Sequence, residues 1–260
     1  MKIDIPFYIS TNNKHMRCLQ VFIELFNKFT DSSDLTILGY NMPDFKLTSN
    51  CNFVSMGKQG PVEEWSTDLR KYFLKNAPEH FIYSTEDVFF YKDFNFDYIN
   101  YLVKIMQSNK KIGRLQLAKI GEDYGDNISN NYHYRLRFLE TIKVEKLNLE
   151  FDMHLLTNSN YTVNCQPSIW NKEFLMKYLI DGYTPWTFEI QGSSLARKDT
   201  KWHSILLDKQ FPLFKEEGFY GSYELSKQWA NQDKWLESLE NNELKNIVKT
   251  WGDSEKLVIL

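Results

Sequence analysis

The 260-residue chain has few cysteines and no apolar run long enough to span a membrane. Its three cysteines are Cys18, Cys51 and Cys165. They form no CxxC pair and have no histidine at metal-ligand spacing, so reduced thiols in a cytoplasmic protein are expected rather than a disulfide framework or a zinc site. The apolar run of residues 3–9 is short and is interrupted by Pro6, so a signal peptide is not expected.

An excess of charge of one sign is also lacking, because 31 Lys and Arg residues face 34 Asp and Glu residues, for a formal charge of −3. No long run of either sign occurs. A general polyanion-binding surface is therefore not indicated, and nucleic acid is not an expected partner. The sequence has no internal repeat, low-complexity tract or linker, so a single domain over residues 1–260 is expected.

The first ninety residues alternate between short apolar runs and helical patterns of apolar residues. Strands are predicted at residues 3–9, 35–40, 52–56 and 80–85, and amphipathic helices at 15–29 and 65–76. This alternation is typical of an α/β domain with a mostly parallel, Rossmann-like sheet that is flanked by helices on both faces.

The alternation is less regular after residue 95. Helices are predicted at residues 96–108 and 171–180, strands at 114–118, 148–156 and 160–164, and a helical C-terminal region at about 201–260. Arg114 flanks one of these strands and is interpreted as a surface residue. His15 has no spacing that argues for metal ligation.

The stretch "HFIYSTEDVFF" places Glu86 and Asp87 directly after the predicted strand at 80–85. Ligands of open parallel sheets bind outside the carboxyl ends of the strands. Two ionised carboxylates beside aromatic residues are costly to desolvate, so a divalent cation or water is expected to complete the arrangement. Oxygen ligands suit Mg²⁺ or Mn²⁺, with phosphate oxygens of a substrate in the remaining positions. The alternative is a turn or helix cap with a solvated Asp87.

A second candidate site lies in "QPSIWNKEFLMKYLIDGYTPWTFEIQGS", residues 166–193. Pro185 suits the first position of a helix, which places Glu189 near the start of that helix. The helix dipole favours an ionised carboxylate there, and an ionised carboxylate can act as a general base. The alternative is an ordinary glutamate that stabilises the helix start.

Taken together, the "STNNK" turn, the "TEDVFF" strand end and the "QPSIW…PWTFE" segment resemble GT-A-type nucleotide-sugar glycosyltransferases. The resemblance is narrower to small bacterial and large-DNA-virus glycosyltransferase-like proteins with E/D-D-x-F and P-W-x-F-E segments, and it covers about residues 3–195. It implies a GT-A-like single domain with a nucleotide-binding half at about 1–95, an acceptor half at about 110–200 and a helical extension at about 201–260.

The resemblance also implies roles for residues at the strand ends. Thr11 and Asn12 would contact the donor nucleotide. Asp87 matches the last acidic residue of the family's Asp-x-Asp metal motif, whereas Thr85 departs from the acidic residue at the first position. Glu86 and Asp87 are therefore the expected ligands of Mn²⁺ or Mg²⁺.

The implied reaction is transfer of a hexosyl or deoxyhexosyl group from a nucleotide-sugar, with a UDP-sugar as first guess, to a glycan or other hydroxyl acceptor. Glu189 matches the general base of inverting members. The resemblance also implies a role in carbohydrate biosynthesis. Lys58 is a candidate phosphate contact, and Trp170 and Trp186 are candidate acceptor contacts because aromatic faces pack against sugar rings. Core burial is the alternative for both tryptophans.

Three other functions stay open on the sequence. A non-catalytic nucleotide- or carbohydrate-binding protein of the same fold would account for Thr85. A nucleotidyltransferase is the second alternative. It is less favoured, because such enzymes normally have a glycine-rich loop after the first strand and "STNNKHMRC" contains no glycine. An interaction scaffold built on the C-terminal helices is the third alternative.

Overall fold

A computed structural model describes residues 3–90, 94–117, 136–145, 148–157, 159–207 and 239–245. Within these ranges nine strands form one sheet in the order β3-β2-β1-β4-β8-β5-β9-β7-β6. The strands are β1 (Phe7–Ser10), β2 (Leu35–Gly39), β3 (Cys51–Ser55), β4 (His80–Thr85), β5 (Ile112–Gln116), β6 (Leu136–Val144), β7 (Leu149–Leu156), β8 (Ser168–Asn171) and β9 (His203–Leu207).

The first half of the sheet is parallel, and three helices accompany it. They are α1 (Met16–Phe29), α2 (Trp65–Asn76) and α3 (Phe96–Ser108). The chain runs outward from β1 to β2 and β3 and then returns to the other side of β1 to form β4. In this part of the sheet, β1 and β4 therefore flank a topological switch point, where open α/β sheets bind their ligands.

The second half of the sheet is antiparallel in most of its pairs. β8 lies antiparallel between β4 and β5, β7 pairs antiparallel with β6 and β9, and only β5 and β9 are parallel. Among the described residues, four of the eight adjacent strand pairs are parallel and four are antiparallel. An α/β architecture with flanking helices is thus confirmed, whereas the prediction of a mostly parallel sheet is wrong.

Connection length explains part of this difference. The link between β6 and β7 is too short for a parallel crossover, so the two strands form a hairpin, with Asn148 at a φ of 50° in the turn. The predicted strand at 160–164 does not form, because these residues lie in turns, and β8 forms a few residues later. Neither β6 nor β8 is among the predicted strands.

The core lies on both faces of the sheet. Phe7 and Ile9 of β1 belong to one buried apolar cluster together with α1 and α3, while Tyr8 belongs to a second cluster with α2 and β8. This division follows from the strand, because successive side chains point to opposite faces. The expected burial of the sheet by helices on both sides is confirmed for this strand.

The later helical elements are short. They are α4 (Lys172–Tyr178), α5 (Pro185–Thr187), a π-helical turn (Phe188–Gly192) and α6 (Ser193–Ala196). The expectation of helix throughout about 201–260 is wrong for residues 203–207, which form β9 inside the sheet. Residues 242–245 are helical, and the rest of that region beyond residue 207, apart from 239–241, lies outside the described residues. No helix in the described ranges is both long and apolar enough to cross a bilayer.

Candidate active site

The carboxyl ends of β1 and β4 bring two of the predicted segments together. Ser10 and Thr85 are register partners in the β1–β4 pair, so the loop of residues 11–15 and the segment 85–87 leave the sheet side by side. We call these two segments the β1–β4 edge. The structure thus places Thr11 and Asn12 beside Glu86 and Asp87, as expected for strands that end at a switch point.

The loop after β1 is held by its own polar groups. Thr11 is 5% exposed, and its backbone N–H donates to the Leu38 carbonyl at 2.9 Å. Asn12 is half-buried; its Oδ1 accepts from the Lys14 N–H at 2.9 Å, and its carbonyl accepts from the His15 N–H at 3.1 Å. The buried Thr11 side chain leaves the backbone and Asn12 as the surfaces that this loop offers to a ligand.

Asn13 joins the loops that follow β1, β2 and β3. Its N–H donates to Gln59 Oε1 at 2.9 Å, and its Oδ1 accepts from the Asn41 N–H at 3.0 Å. Lys58 precedes Gln59 in the chain and is exposed. The predicted phosphate contact therefore lies on a loop that is tied directly to the β1–β4 edge.

Glu86 is buried at this edge and has a partner within the chain. Its side chain is 4% exposed, and its Oε1 lies 2.7 Å from His15 Nδ1. Burial would lower the pKa of His15, but the hydrogen bond to Glu86 and the negative charges of Glu86 and Asp87 outweigh that effect and the opposing charge of Lys14, so the pKa is raised. One oxygen of the Glu86 carboxylate is thus held by the imidazole, and its role as a metal ligand stays a prediction.

Asp87 has a different environment. It is partly buried, and its Oδ1 is buried without a hydrogen-bond partner among the described residues. Burial, followed by the charge of Glu86, raises the pKa of Asp87 to about 6, against the opposing effects of a hydrogen bond from Thr85 and the charge of His15. This carboxylate oxygen therefore has an acceptor capacity that no group among the described residues uses.

Glu189 lies in the π-helical turn that continues α5. Pro185 is the first residue of α5, as expected, and the Thr184 side chain accepts from the Thr187 N–H at 3.0 Å to cap the helix. π-helical turns are rare and are found frequently at functional sites. The turn places Glu189 Oε1 2.9 Å from the Cys165 backbone N–H, which donates to it.

The electrostatic environment of Glu189 connects it to the β1–β4 edge. Burial raises its pKa to about 7; the Cys165 hydrogen bond and the charge of Arg114 oppose this shift, and the charge of Asp87 adds to it. Burial therefore has a larger effect on this carboxyl than the expected influence of the helix dipole, and the ionised form is only partly populated near neutral pH. The strand pairing agrees with a contribution from Asp87, because Tyr83 of β4 lies opposite Ser168 of β8, so the segments that carry Asp87 and the Cys165 contact of Glu189 adjoin.

A buried arginine supports the loop that carries Cys165. Arg114 is 0% exposed, so its interpretation as a surface residue is wrong. Its guanidinium donates to Ser168 Oγ at 3.0 Å, to Gln116 Oε1 at 2.8 Å and to Asn164 Oδ1, and it stacks 5.0 Å from the Trp170 ring. One side chain thus connects β5, β8 and the 159–167 loop below Glu189.

The two predicted acceptor tryptophans have opposite positions. Trp170 is 0% exposed on β8 and packs between Arg114 and Phe174, so its predicted contact with a sugar is wrong and core burial is the correct alternative. Trp186 is 55% exposed, three residues before Glu189. Its predicted acceptor contact stays a prediction.

Two further observations limit the site. The described ranges contain no group of three or more His, Cys, Asp or Glu side chains that could hold a metal ion. A groove of about 600 Å³ is lined by residues of α1, among them Gln20 and Asn27, and by Phe45, and none of the predicted site residues lines it.

Comparisons with known proteins add one similarity. No family model matches the chain, and no curated protein matches it. Among solved structures it is similar to residues 1–349 of TarS from S. aureus, a glycosyltransferase, with a TM-score of 0.45 and 9% sequence identity, over 97% of this chain and 70% of that chain. A similarity at this level establishes neither a common fold nor a common activity.

Sequence reasoning missed two residues at this site, His15 and Arg114. His15 is 71 positions from Glu86 in the sequence, so no local spacing connects them. Arg114 stands in the short apolar strand "IGRLQ", and a charged residue inside an apolar run is the signal that pointed to burial.

Proposed function

We propose that the protein is a GT-A-like glycosyltransferase that moves a sugar from a nucleoside diphosphate donor to an acceptor hydroxyl with inversion. The observation that carries this proposal is the antiparallel pairing of β4 with β8. Tyr83 lies opposite Ser168, so the strand end that carries Asp87 runs beside the segment whose Cys165 N–H holds Glu189. Such a pair offers one carboxylate for the donor side and one for the acceptor side of a single site.

The donor is proposed to bind at the β1–β4 edge. This edge is a topological switch point, and the loops after β1, β2 and β3 meet there through Asn13. Asn12 and the backbone of Thr11 are proposed to contact the nucleotide, and Lys58 to reach a phosphate. A UDP-sugar remains the first donor to test.

Glu189 is proposed to act as the general base. Its pKa of about 7 suits the role, because a base near the working pH combines a useful ionised fraction with a strong proton affinity. The acceptor oxygen forms a bond to the anomeric carbon as its proton passes to Glu189. The bond between that carbon and the diphosphate breaks, and its electron pair leaves with the diphosphate. Trp186 is proposed to face the acceptor sugar.

Asp87 is the residue that would hold a divalent cation, Mn²⁺ or Mg²⁺. Its unpartnered Oδ1 fits a single carboxylate ligand, and Mg²⁺ sites often combine one or two carboxylates with substrate phosphates and water. Beside it, Thr85 offers a hydroxyl in place of a carboxylate, and Glu86 has one carboxylate oxygen bonded to His15. When bound, the cation would neutralise charge on the diphosphate.

A screen of nucleotide-sugars for release of nucleoside diphosphate, in the presence of Mn²⁺ and a panel of hydroxyl acceptors, tests the proposal. We expect at least one donor to be consumed by the wild-type protein and release to fall sharply in Asp87→Asn. Exposed Asp181→Asn is the matched control and should behave as wild type. Absence of turnover across a complete donor and acceptor panel would contradict an enzyme.

A non-catalytic nucleotide-binding protein is the second candidate. Two observations favour it: Glu86 is paired with His15, and Thr85 stands where the metal motif has an acidic residue. Within the described part of the chain, Asp87 is then the one carboxylate at this edge that is not paired with a basic side chain, where a metal motif normally has two. Tight binding of a nucleoside diphosphate that neither Mn²⁺ nor Asp87→Asn affects, without turnover, would identify this case.

A further inference from the structure

His15 and Glu86 form a fixed pair at the β1–β4 edge. The 2.7 Å contact joins Nδ1 of a partly exposed imidazole to a carboxylate that is 4% exposed. An ionised carboxylate without a partner is expensive to bury, so the imidazole has an evident structural use. The same contact fixes the orientation of the ring and leaves its second nitrogen uncommitted.

The second ring nitrogen of His15, Nε2, makes no hydrogen bond to the described residues. Within the described residues, Nδ1 is the ring nitrogen that bonds to the protein, and the side chain is 37% exposed. A protonated imidazole donates from both nitrogens. Because the Glu86 carboxylate is bonded at Nδ1, Nε2 is the ring nitrogen that can donate to a ligand.

The position of the ring matches the place where the donor is proposed to bind. His15 directly precedes α1, a helix of 14 residues, and its backbone N–H closes the turn that contains Asn12. The loop and the start of α1 lie at the same edge of the sheet as Asp87, and the start of a helix carries a partial positive charge. A ring donor here adds a positive group that belongs to the chain itself.

We propose that His15 is a catalytic residue whose Nε2–H contacts the donor diphosphate, and that Glu86 is a positioning residue that holds the ring for this contact. The inference rests on the proposed function and deepens it. When the bond between the anomeric carbon and the diphosphate breaks, the electron pair stays on the diphosphate, and His15 stabilises that charge without transferring its proton. Glu86 is thus assigned to a protein side chain instead of a metal.

Nucleotide binding tests the contact without knowledge of the sugar. Affinities of UDP and of uridine are measured by calorimetry for wild type and for His15→Gln, in buffer with a chelator so that no divalent cation contributes. We expect His15→Gln to weaken UDP binding about 10-fold or more, the usual effect of a lost charge-assisted hydrogen bond, and to leave uridine binding within about 2-fold. A purely structural role would weaken both ligands alike.

His203→Gln is the matched control, since His203 lies on β9 away from the edge, and it should bind both ligands as wild type does. Thermal melting of His15→Gln shows whether this variant folds. If it does not fold, Glu86→Gln is the second variant, and we expect it to weaken UDP binding selectively in the same way. Equal UDP affinity in folded His15→Gln and wild type overturns the inference about His15 and leaves the proposed function standing. If wild type binds neither UDP nor any other nucleoside diphosphate, both with chelator and with added Mn²⁺, the proposed function fails as well.

Discussion

At the scale of single residues, Glu189 is the side chain on which the proposed chemistry depends most. Its Oε1 accepts from the Cys165 N–H, and a glutamine can keep that hydrogen bond while it removes the base. We therefore expect Glu189→Gln to fold normally and to lose about 10²- to 10⁴-fold in kcat/KM. Glu173→Gln, at an exposed position paired with Lys201, is the matched control and should keep full activity.

The pH dependence of the same residue gives a separate prediction. Because burial raises the pKa of Glu189 to about 7, the base is protonated below that pH and ionised above it. We expect kcat/KM to rise with pH through about 7 and then to level off. A profile measured from pH 5 to 9 checks this, and a rate that is already constant between pH 5 and 7 would exclude Glu189 as the base.

The two tryptophans should respond in opposite ways to truncation. Trp170 is fully buried, so we expect Trp170→Ala to lose about 3–5 kcal/mol of unfolding free energy. Trp186 is more than half exposed, so Trp186→Ala should change stability by no more than about 0.5 kcal/mol while it raises KM for the acceptor. Urea unfolding and acceptor titrations separate the two effects. An unchanged acceptor KM in Trp186→Ala would remove that residue from the site.

At the scale of elements, Arg114 connects two strands and a loop that the sequence does not bring together. Its several hydrogen bonds depend on the planar guanidinium fork, which lysine cannot reproduce. We expect Arg114→Lys to destabilise the protein by about 2–4 kcal/mol, the usual cost of buried polar partners left unsatisfied. Arg137→Lys on β6, at an exposed position, is the control. Equal urea midpoints for the two variants would contradict a structural role for this network.

The elements also show what the sequence could and could not predict. The alternation of period-two and helical patterns was sufficient for β1 to β4 and for α1 to α3, because each has an apolar face long enough to produce a pattern. β8 has four residues and is buried on both faces, so it carries no periodicity. Its antiparallel insertion between β4 and β5 depends on long-range pairing that local sequence does not encode.

The candidate site divides in the same way. Asp87 could be placed from its position after an apolar strand, and the start of α5 from Pro185. The partner of Glu86 could not, because His15 lies 71 residues away and becomes a neighbour only through the β1–β4 pairing. Trp170 and Trp186 are alike in sequence terms, and only the sheet decides that one is core and the other exposed.

At the scale of the whole molecule, the two carboxylates of the site should reduce stability at high pH. Burial raises the pKa of Asp87 from 3.8 to about 6 and that of Glu189 from 4.5 to about 7. Between those values the folded chain holds more protons at these groups than the unfolded chain does. Their contribution to stability is therefore present at low pH and is lost as pH rises through about 6 to 7.

The double variant Asp87→Asn, Glu189→Gln tests this contribution. At pH 8 we expect it to have a higher urea midpoint than wild type, because the buried charges are gone. At pH 5, where the wild-type carboxyls are largely protonated, the difference should shrink. A difference of the same size at both pH values would indicate altered packing instead of charge.

The central claim is that Asp87 and Glu189 face each other in one site, and the titration of Glu189 tests it without any ligand. Carboxyl NMR shifts of selectively labelled protein give the pKa of Glu189 in wild type and in Asp87→Asn. We expect a midpoint near 7 in wild type. In the variant we expect a lower midpoint that is still above the ordinary value for glutamate, because the neighbouring negative charge is removed and the burial stays. The same midpoint in both proteins would show that the two carboxylates do not interact, and would contradict a shared site.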